Sequence, residues 1–215
     1  MKNVLITGFE PFGGAETNAA WEAVKRLADF KLEGANITIV QLPTEFGRSI
    51  ESLRQAVQNV RPDMVISVGQ AEGRANITPE RVAINVDDAR IPDNAGQSPI
   101  DKPIVPQGPV AYWSTLPIKA IVRDIRKAGI AAAVSNTAGT FVCNHLFYGL
   151  AHLIATKYPQ MRGGFIHIPL ISEQTEGRPD VPSMPLDDIV QGLAIAVATT
   201  ICVEQDIEEE GGQIN

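Results

Sequence analysis

The chain has 215 residues, of which 44% are hydrophobic and 20% are charged, and its mean hydropathy is near zero. These values are typical of a globular protein with a substantial core, and the length suits one α/β domain. The net charge is −7, and no run of lysine or arginine provides the basic surface that a nucleic-acid backbone requires. We therefore expect a single domain over 1–215 and no nucleic-acid partner.

The first third of the chain alternates β-branched runs with segments of helical period. In order these are NVLITGF, NAAWEAVKRLADF, ANITIVQLP, EFGRSIESLRQAVQNV and DMVISVGQ. This βαβαβ order is typical of a parallel sheet covered by helices. The sequence thus predicts an α/β three-layer sandwich, with a mostly parallel twisted sheet and helices on both faces.

The rest of the chain continues with further strands and helices. The segment ITPERVAINV has the two-residue period of a strand, and after a long irregular segment come a helix (PIKAIVRDIRKAG), a strand (IAAAVSN), a helix from about Val142 to Lys157, a strand (GFIHIPL) and a last helix near Leu186 to Val203. The irregular, Pro-rich segment at about 87–116 is expected to be functional or to form an oligomer contact, with disorder as the alternative. The acidic end, about 207–215, is expected to be a frayed tail.

Targeting and redox signals are weak. The amino-terminal segment MKNVLITGFEPFGG has an apolar run too short for a signal peptide. The longest apolar stretch, IVQGLAIAVATTICV, is interrupted by Gln191 and Gly192 and falls short of the roughly 20 residues of a membrane span. Two cysteines are too few for a disulfide framework, so both are expected to be reduced thiols. We expect a cytoplasmic protein without a membrane partner.

Ligands of open α/β sheets bind beyond the carboxyl ends of the parallel strands. This rule selects GFEPFGG, LPTEF, GQAEGR, NTAGTFVC and HIPLISEQT, and Cys143 lies within this set. At the first turn of a helix, unpaired amides and the helix dipole lower the pKa of a thiol, so Cys143 is a candidate nucleophile. The alternative is a small buried hydrophobic residue. Cys202, on an apolar face near the end of the last helix, is expected to be structural.

A nucleophilic thiol needs a general base, and the chain has three histidines. His145 and His152 lie two and nine residues after Cys143 on the same predicted helix, and neither spacing brings the ring to the thiol. His167, near the end of GGFIHIPL, can reach Cys143 if the two strands are adjacent, or else it is a buried core histidine. His145 is expected to be structural.

Glu80 is a candidate for the group that orients the histidine. The two-residue period places it on the same face as Val82, Ile84 and Val86, an unusual position for a carboxylate without a partner. Pairing with His167 would give the third member of a triad. An ion pair with Arg81 or another arginine explains the position equally well.

The loop GFEPFGG does not have the chemistry of a phosphate site. Its outer glycines have P-loop spacing, but Gly14 and Ala15 stand where lysine and Ser or Thr are required. The dinucleotide-binding pattern is also missing. Phe9 and Phe12 suggest the wall of an apolar pocket, with ordinary core packing as the alternative.

Several blocks together resemble the pyrrolidone carboxyl peptidase family, the type I pyroglutamyl aminopeptidases, which are cysteine peptidases. The blocks occur in order along nearly the whole chain: ITGFEPFGG, GQAEGRANITPERVAIN, DDARIPDN, SNTAGTFVCNHLFYG and FIHIPL. The resemblance implies removal of an N-terminal pyroglutamyl residue from peptides through a thioester acyl-enzyme. It also implies a cytoplasmic, metal-free enzyme without a cofactor that is often a homotetramer.

The resemblance also implies residue roles. Cys143 would be the nucleophile, His167 the general base and acid, and Glu80 the group that orients His167. Asn18 and Gln70 would recognise the pyrrolidone amide, Arg90 would lie beside the scissile bond near the oxyanion, and Asp93 is a possible second support. The apolar lining would consist of Phe9, Phe12, Thr44, Ile91, Phe141 and Val142.

Two other functions remain open from the sequence. A nucleoside phosphorylase-like enzyme could use a similar sandwich, but it would need anion-binding groups that GFEPFGG does not supply. A non-catalytic binding protein on the same fold would leave Cys143 dispensable. Phosphate dependence would identify the first, and indifference to thiol alkylation the second.

Overall fold

A five-stranded sheet forms the centre of the computed structural model, which describes residues 1–30 and 32–212. Four of its strands are parallel, and the short edge strand is antiparallel to its neighbour. This arrangement confirms the mostly parallel sheet predicted from the sequence. In spatial order the strands are β2 (Ala35–Leu42), β1 (Lys2–Phe9), β3 (Met64–Gln70), β7 (Arg162–Ile168) and β4 (Thr78–Pro79).

Five helices and two small strand pairs complete the described fold. The pairs are β5 (Val82–Ile84) with β6 (Ala111–Trp113), which are antiparallel, and β8 (Leu170–Ile171) with β9 (Ser183–Met184), which are parallel. One 3-10 turn spans Ser172–Thr175. The helices are α1 (Ala19–Leu27), α2 (Arg48–Val60), α3 (Ile118–Lys127), α4 (Val142–Lys157) and α5 (Leu186–Cys202).

The sheet has a hydrophobic core on each face. Helices α1, α3 and α5 cover one face, and α2 and α4 cover the other. Consecutive residues of a strand point to opposite faces, so the three central strands supply both cores. Ile6, Ile66 and Ile166 pack in the first core, and Leu5, Val65 and Phe165 in the second. Burial on both faces explains the continuous apolar runs and confirms the predicted three-layer α/β architecture.

The segment ITPERVAINV, predicted as one strand, is divided between two sheets. Its first part, β4, pairs with β7, whereas β5 leaves the central sheet and pairs with β6. Pro79 has no N–H group with which to continue the ladder. Glu80 is fully buried at the division, but Val82 and Ile84, expected on the same face, are only half-buried. The prediction of a single half-buried strand was wrong because the chain changes sheet here.

The segment IAAAVSN does not form the predicted continuous strand. It runs beside β4 through two isolated parallel bridges, Ile77 with Ala132 and Glu80 with Ser135. Residues 77–80 therefore lie between this segment and β7. The segment before Cys143 and the strand of His167 were expected to be neighbours, and they are not. Another part of the fold must therefore bring the two side chains together.

The Pro-rich segment at 87–116 folds back on itself. Asp87 and Lys102 exchange backbone hydrogen bonds of 2.7 and 3.0 Å, and the Ala89 N–H donates to the Pro99 carbonyl. Three large apolar side chains of this segment, Ile100, Val110 and Trp113, are exposed. The segment is thus an ordered surface loop with an apolar face.

The carboxyl-terminal tail is partly described. Of the predicted tail, 213–215 lies outside the described residues. Glu208 to Gly212 is exposed, although Arg81 donates a hydrogen bond to the Gly211 carbonyl. Just before the tail, Asp206 accepts hydrogen bonds from the first backbone amides of α3. Across the described ranges, no helix has both the length and the hydropathy for crossing a membrane.

Candidate active site

The carboxyl ends of β3 and β7 meet the beginning of α4 on one face of the sheet. Gly69 of β3 pairs in register with His167 of β7. A Cβ atom placed on Gly69 would lie 3.0 Å from Cys143 Sγ and 2.8 Å from Cζ of Phe165. Residues paired in a parallel register point to the same face. The Cys143 thiol and the His167 imidazole therefore lie on the same face of the sheet, the face covered by α4. They meet because α4 begins at the strand ends, and not because the segment IAAAVSN lies beside β7.

Cys143 is the second residue of α4 and is half-buried. Among the described residues no side chain caps this helix, and its first turn has no acidic residue. The first amide groups of α4 are thus available to an anion. Burial and, to a lesser extent, the nearby charge of Glu80 nevertheless raise the pKa of the Cys143 thiol to about 12, while Arg74 acts in the opposite direction. The lowered pKa expected from the helix start is therefore not found, because burial of the sulfur and the negative charge of Glu80 favour the protonated thiol.

His167 and Glu80 form a buried pair. His167 Nδ1 donates a hydrogen bond of 2.7 Å to Glu80 Oε1, and the side chains are 5% and 0% exposed. Burial lowers the pKa of His167, although the Glu80 carboxylate opposes this shift. Burial alone would raise the pKa of Glu80, but the hydrogen bond and the charges of His167 and Arg74 outweigh it and lower the pKa. The donor on Nδ1 leaves Nε2 as the basic nitrogen of a neutral ring.

Arg74 is the second partner of Glu80. Its Nη1 donates to Glu80 Oε1 at 2.6 Å and to Thr78 Oγ1 at 2.6 Å, while Nη2 donates to the Thr137 carbonyl at 2.9 Å. The sequence left two partners open for Glu80, a histidine or an arginine. The carboxylate has both, and the arginine is Arg74 and not Arg81, which donates to Asn136 and Gly211.

A cavity of about 620 Å³ lies where Gln70 ends β3 and Phe141 precedes α4, and Cys143, His167 and Glu80 are not among its lining residues. Phe12 and Phe141 form an aromatic wall, with ring centroids 6.1 Å apart. Predicted site residues in its lining are Phe12, Gln70, Arg90, Ile91 and Phe141, and the other lining residues are Gly13, Ala15, Glu72, Asp88 and Thr140.

The other predicted pocket residues lie behind this lining. Phe9 is 3% exposed and packs 6.3 Å from Phe165, and Val142 is fully buried at the first position of α4. Thr44 is 3% exposed, and its hydroxyl donates to the Glu10 carbonyl. These three residues support the site from within the core, where the sequence had suggested direct lining.

Asn18 and Gln70, the two residues predicted to recognise the pyrrolidone amide, differ in their hydrogen bonds. Asn18 is the N-cap of α1: its Oδ1 accepts from the Ala20 N–H, and its Nδ2 donates to the Glu10 carbonyl. Gln70 Oε1 accepts from the Ala19 N–H at 2.7 Å. A backbone N–H requires an oxygen acceptor, so this bond fixes the orientation of the Gln70 amide and presents Nε2 as a donor.

A second polar network, which the sequence did not reveal, holds one wall of the site. The His145 ring accepts from the Gly47 N–H at Nε2 (2.8 Å) and donates from Nδ1 to Asp87 (2.8 Å). The preceding residue, Phe46, contacts the Phe141 ring edge-on at 5.4 Å. His145 is thus structural, as predicted, but the structure it supports is the pocket wall.

Asp93, predicted as a possible second support, belongs to the same wall. Its Oδ2 accepts from the Phe46 N–H at 2.8 Å, and its Oδ1 accepts from the amides of Ala95 and Gln97. The bond to Phe46 joins residues 47 positions apart, whereas the bonds to Ala95 and Gln97 are local. The Asp-Asn-Ala-Gly run at 93–96 is a local turn signal, and nothing in the sequence points to the bond with Phe46.

Other reactive groups lie away from this site. Cys202 is exposed at the last residue of α5, so the expected packing on an apolar face is wrong. His152 pairs with the Tyr112 hydroxyl at 2.8 Å. A cavity of about 640 Å³ lies between α3 and residues 209–212 and contains none of the predicted site residues. Within 1–30 and 32–212, no group of three or more His, Cys, Asp or Glu side chains is arranged to hold a metal ion.

Comparisons with known proteins agree with the sequence resemblance. A family model described as pyroglutamyl peptidase matches residues 2–203. The pyrrolidone-carboxylate peptidase of Brevibacillus brevis is 55% identical over 215 residues, and pyrrolidone-carboxylate peptidase 1 of Ralstonia nicotianae is 57% identical over 215 residues. In both comparisons 100% of each chain is covered.

Solved structures show the same fold. The crystal structure of pyroglutamyl peptidase I from Bacillus amyloliquefaciens superposes with a TM-score of 0.94 at 55% identity, covering 96% of this chain and 100% of that one. The pyrrolidone carboxyl peptidase from Thermococcus litoralis has a TM-score of 0.94 at 35% identity, covering 98% and 100%. The chain therefore belongs to the pyroglutamyl peptidase family.

Proposed function

We propose that the chain removes N-terminal pyroglutamyl residues from peptides with Cys143 as nucleophile, His167 as general base and acid, and Glu80 orienting His167. The removal of this residue by a cysteine peptidase is the activity of the family to which the chain belongs. The observation that supports the residue roles is the 2.7 Å hydrogen bond between His167 and a fully buried Glu80, on the face where Cys143 begins α4. Neither alternative from the sequence, a phosphorylase-like enzyme or a binding protein, is supported.

Acylation starts from neutral partners. His167 Nε2 accepts the Cys143 thiol proton while Sγ attacks the carbonyl carbon of the pyroglutamyl residue, and the carbonyl electron pair moves onto oxygen. Amide groups at the start of α4 stabilise this oxyanion, and Arg90 lies at the cavity where its charge would assist. The imidazolium then donates its proton to the leaving amine, the C–N bond breaks, and the acyl group remains on sulfur as a thioester.

Deacylation reverses these roles. A water molecule gives a proton to His167 Nε2 and attacks the thioester carbonyl. The tetrahedral intermediate expels Sγ, which takes the proton back from the imidazolium, and pyroglutamate leaves. Glu80 holds the ring in one tautomer throughout and stabilises the imidazolium that forms in each half-reaction.

The cavity suits the pyroglutamyl ring. This ring is uncharged and apolar on its faces, so it can pack against Phe12 and Phe141, and its edge carbonyl can accept from Gln70 Nε2. Asn18, whose cap bonds occupy both ends of its amide, would act mainly by placing α1 and with it Gln70. An N-terminal glutamate would bring a carboxylate and an ammonium against the aromatic wall, and a proline lacks the carbonyl.

We further propose a single catalytic domain in a cytoplasmic homotetramer. The two free cysteines suit a reducing compartment. Ile100, Val110 and Trp113 are 67%, 86% and 69% exposed on the 87–116 segment, which supports an apolar contact between copies. Sedimentation at micromolar concentration is expected to give a tetramer that Trp113→Glu dissociates. A fully active monomer would remove this part of the proposal.

Fluorogenic amides test the function directly. We expect kcat/KM for a pyroglutamyl amide to exceed that for the matching prolyl and glutamyl amides by at least about a thousandfold, because a site built around a carbonyl rejects analogues without it. Iodoacetamide is expected to abolish the activity, and added phosphate to leave it unchanged. Comparable rates on the prolyl amide would contradict the pocket assignment even if the thiol proved essential.

A further inference from the structure

Arg74 connects three segments that carry or approach the proposed catalytic groups. One guanidinium contacts Glu80, the β4 residue Thr78 and the Thr137 carbonyl, which lies in the loop leading to α4. Its side chain is 26% exposed, whereas Glu80 is completely buried. A planar guanidinium can satisfy several acceptors in fixed directions, which a flexible ammonium does less well.

Arg74 and His167 converge on the same carboxylate oxygen. Glu80 Oε1 accepts from Arg74 Nη1 at 2.6 Å and from His167 Nδ1 at 2.7 Å. The other oxygen, Oε2, is buried and makes no hydrogen bond of ordinary geometry within the described part of the chain. The negative charge that faces His167 is therefore shared with a permanent cation.

We propose that Arg74 is a positioning residue of the hydrolytic reaction, which shares Glu80 Oε1 with His167 and thereby sets the acid limit of activity. This inference rests on the function proposed above. Arg74 touches neither the proposed nucleophile nor the proposed base, so it acts through Glu80. It also ties Glu80 to the loop before Cys143, so the same contacts hold both parts of the site in place.

The electrostatic direction follows from the charges around His167. The titratable groups that act on it are Glu80 after β4 and Arg74 in the loop before β4, and Cys143 on α4 feels the same two charges. Arg74 lowers the pKa of His167, whereas Glu80 raises it. Without Arg74, the full carboxylate charge would favour the imidazolium, and a larger share of His167 would be protonated and unable to act as a base.

The test compares Arg74→Met and Arg74→Lys with Arg81→Met. Arg81 follows Glu80 in the chain but donates to Asn136 and Gly211, so it is a matched control. We expect the acid limb of kcat/KM to move to higher pH in Arg74→Met, so that its loss relative to wild type is at least about threefold greater at pH 6 than at pH 8. Arg74→Lys should keep the position of the limb while losing kcat at every pH, and Arg81→Met should follow the wild type.

A second measurement does not depend on turnover. The chain has three histidines, so the 15N signals of His167 can be assigned and titrated in a Cys143→Ala background. Adding Arg74→Met is expected to raise the pH at which His167 titrates. The proposal would be overturned if Arg74→Met left both the His167 titration and the shape of the pH profile of kcat/KM unchanged. It would also be overturned if Arg74→Lys shifted the acid limb of kcat/KM as far as Arg74→Met does. If Cys143→Ala kept its activity, the proposed function would fail while the titration would still decide the role of Arg74.

Discussion

Glu80 Oε1 accepts a 2.7 Å hydrogen bond from His167 Nδ1 at a point where both side chains are almost completely enclosed by protein. The two residues are 87 positions apart in the chain, and the pairing of β4 with β7 brings them together. A carboxylate in this position fixes the ring tautomer and leaves Nε2 free to accept a proton. The proposed chemistry depends on this contact.

Replacing Glu80 with glutamine tests the contact with almost no change in volume. The amide can present an N–H to the ring, which would favour the wrong tautomer and remove the charge that stabilises the imidazolium. We expect kcat to fall by about 10²–10⁴-fold. Glu51→Gln on the exposed side of α2 is the control, and wild-type kcat in a folded Glu80→Gln enzyme would assign Glu80 a structural role only.

The pH profile follows from the neutral state of the resting pair. His167 accepts a proton only as the neutral ring, and burial lowers its pKa below the usual 6.5. The protonated, inactive form therefore accumulates only below that pH. Burial also raises the pKa of Cys143 to about 12, so the thiol adds no ionisation near neutrality. We expect kcat/KM to rise from acid to a plateau that extends from about pH 7 to pH 9. A rise of kcat/KM centred above pH 7, measured where circular dichroism shows an intact fold, would contradict a neutral His167 in the resting enzyme.

Gly69 provides the space in which the Cys143 sulfur lies. An added Cβ would be 2.8 Å from Cζ of Phe165 and 3.0 Å from Sγ, which is closer than packed atoms tolerate. We expect Gly69→Ala to lower kcat/KM by about 10²-fold through displacement of the thiol. Overpacking should also cost about 1–3 kcal/mol in the free energy of unfolding. Gly211→Ala, whose added Cβ would lie 3.4 Å from Cγ2 of Val134, is the control. Full activity of Gly69→Ala would place the reacting sulfur elsewhere.

His145 supports substrate binding through the pocket wall. His145→Ala would leave the Gly47 N–H and the Asp87 carboxylate without their partner and release Phe46 from its contact with Phe141. Loss of such a buried hydrogen bond costs about 1–3 kcal/mol, so we expect KM to rise about tenfold or more with a smaller effect on kcat. His152→Ala, two turns along the same helix, is the matched control. A lower melting temperature with unchanged KM would show that the network supports the fold alone.

The architecture could be predicted from the sequence because apolar runs and amphipathic periods are local features of the chain. Continuous apolar runs in β1 and β3 and the amphipathic period of α2 are properties of short segments, and the structure confirms the α/β sandwich they indicate. The start of α4 at Val142 was also correct, since small and turn-forming residues precede it. What failed was the path of the chain at Glu80, where a change of sheet depends on pairing partners far away in sequence.

The same limit applies to the site. Cys143, His167 and Glu80 could be proposed from residue chemistry and family resemblance, but Arg74 and Phe46 could not. Their roles depend on contacts with Thr137 and Phe141, 63 and 95 residues away in the chain. The pKa of Cys143 was mispredicted for a related reason: the helix start is visible in the sequence, whereas the extent of burial is a property of the folded core.

Turnover of a pyroglutamyl amide by Cys143→Ala, compared with Cys202→Ser, tests the central claim most directly. The two cysteines differ in setting, since one begins α4 beside Gly69 and the other is exposed at the end of α5. We expect a loss of at least about a thousandfold in kcat for Cys143→Ala and near wild-type kcat for Cys202→Ser. Equal losses in the two folded variants, or substantial turnover by Cys143→Ala, would contradict Cys143 as the nucleophile.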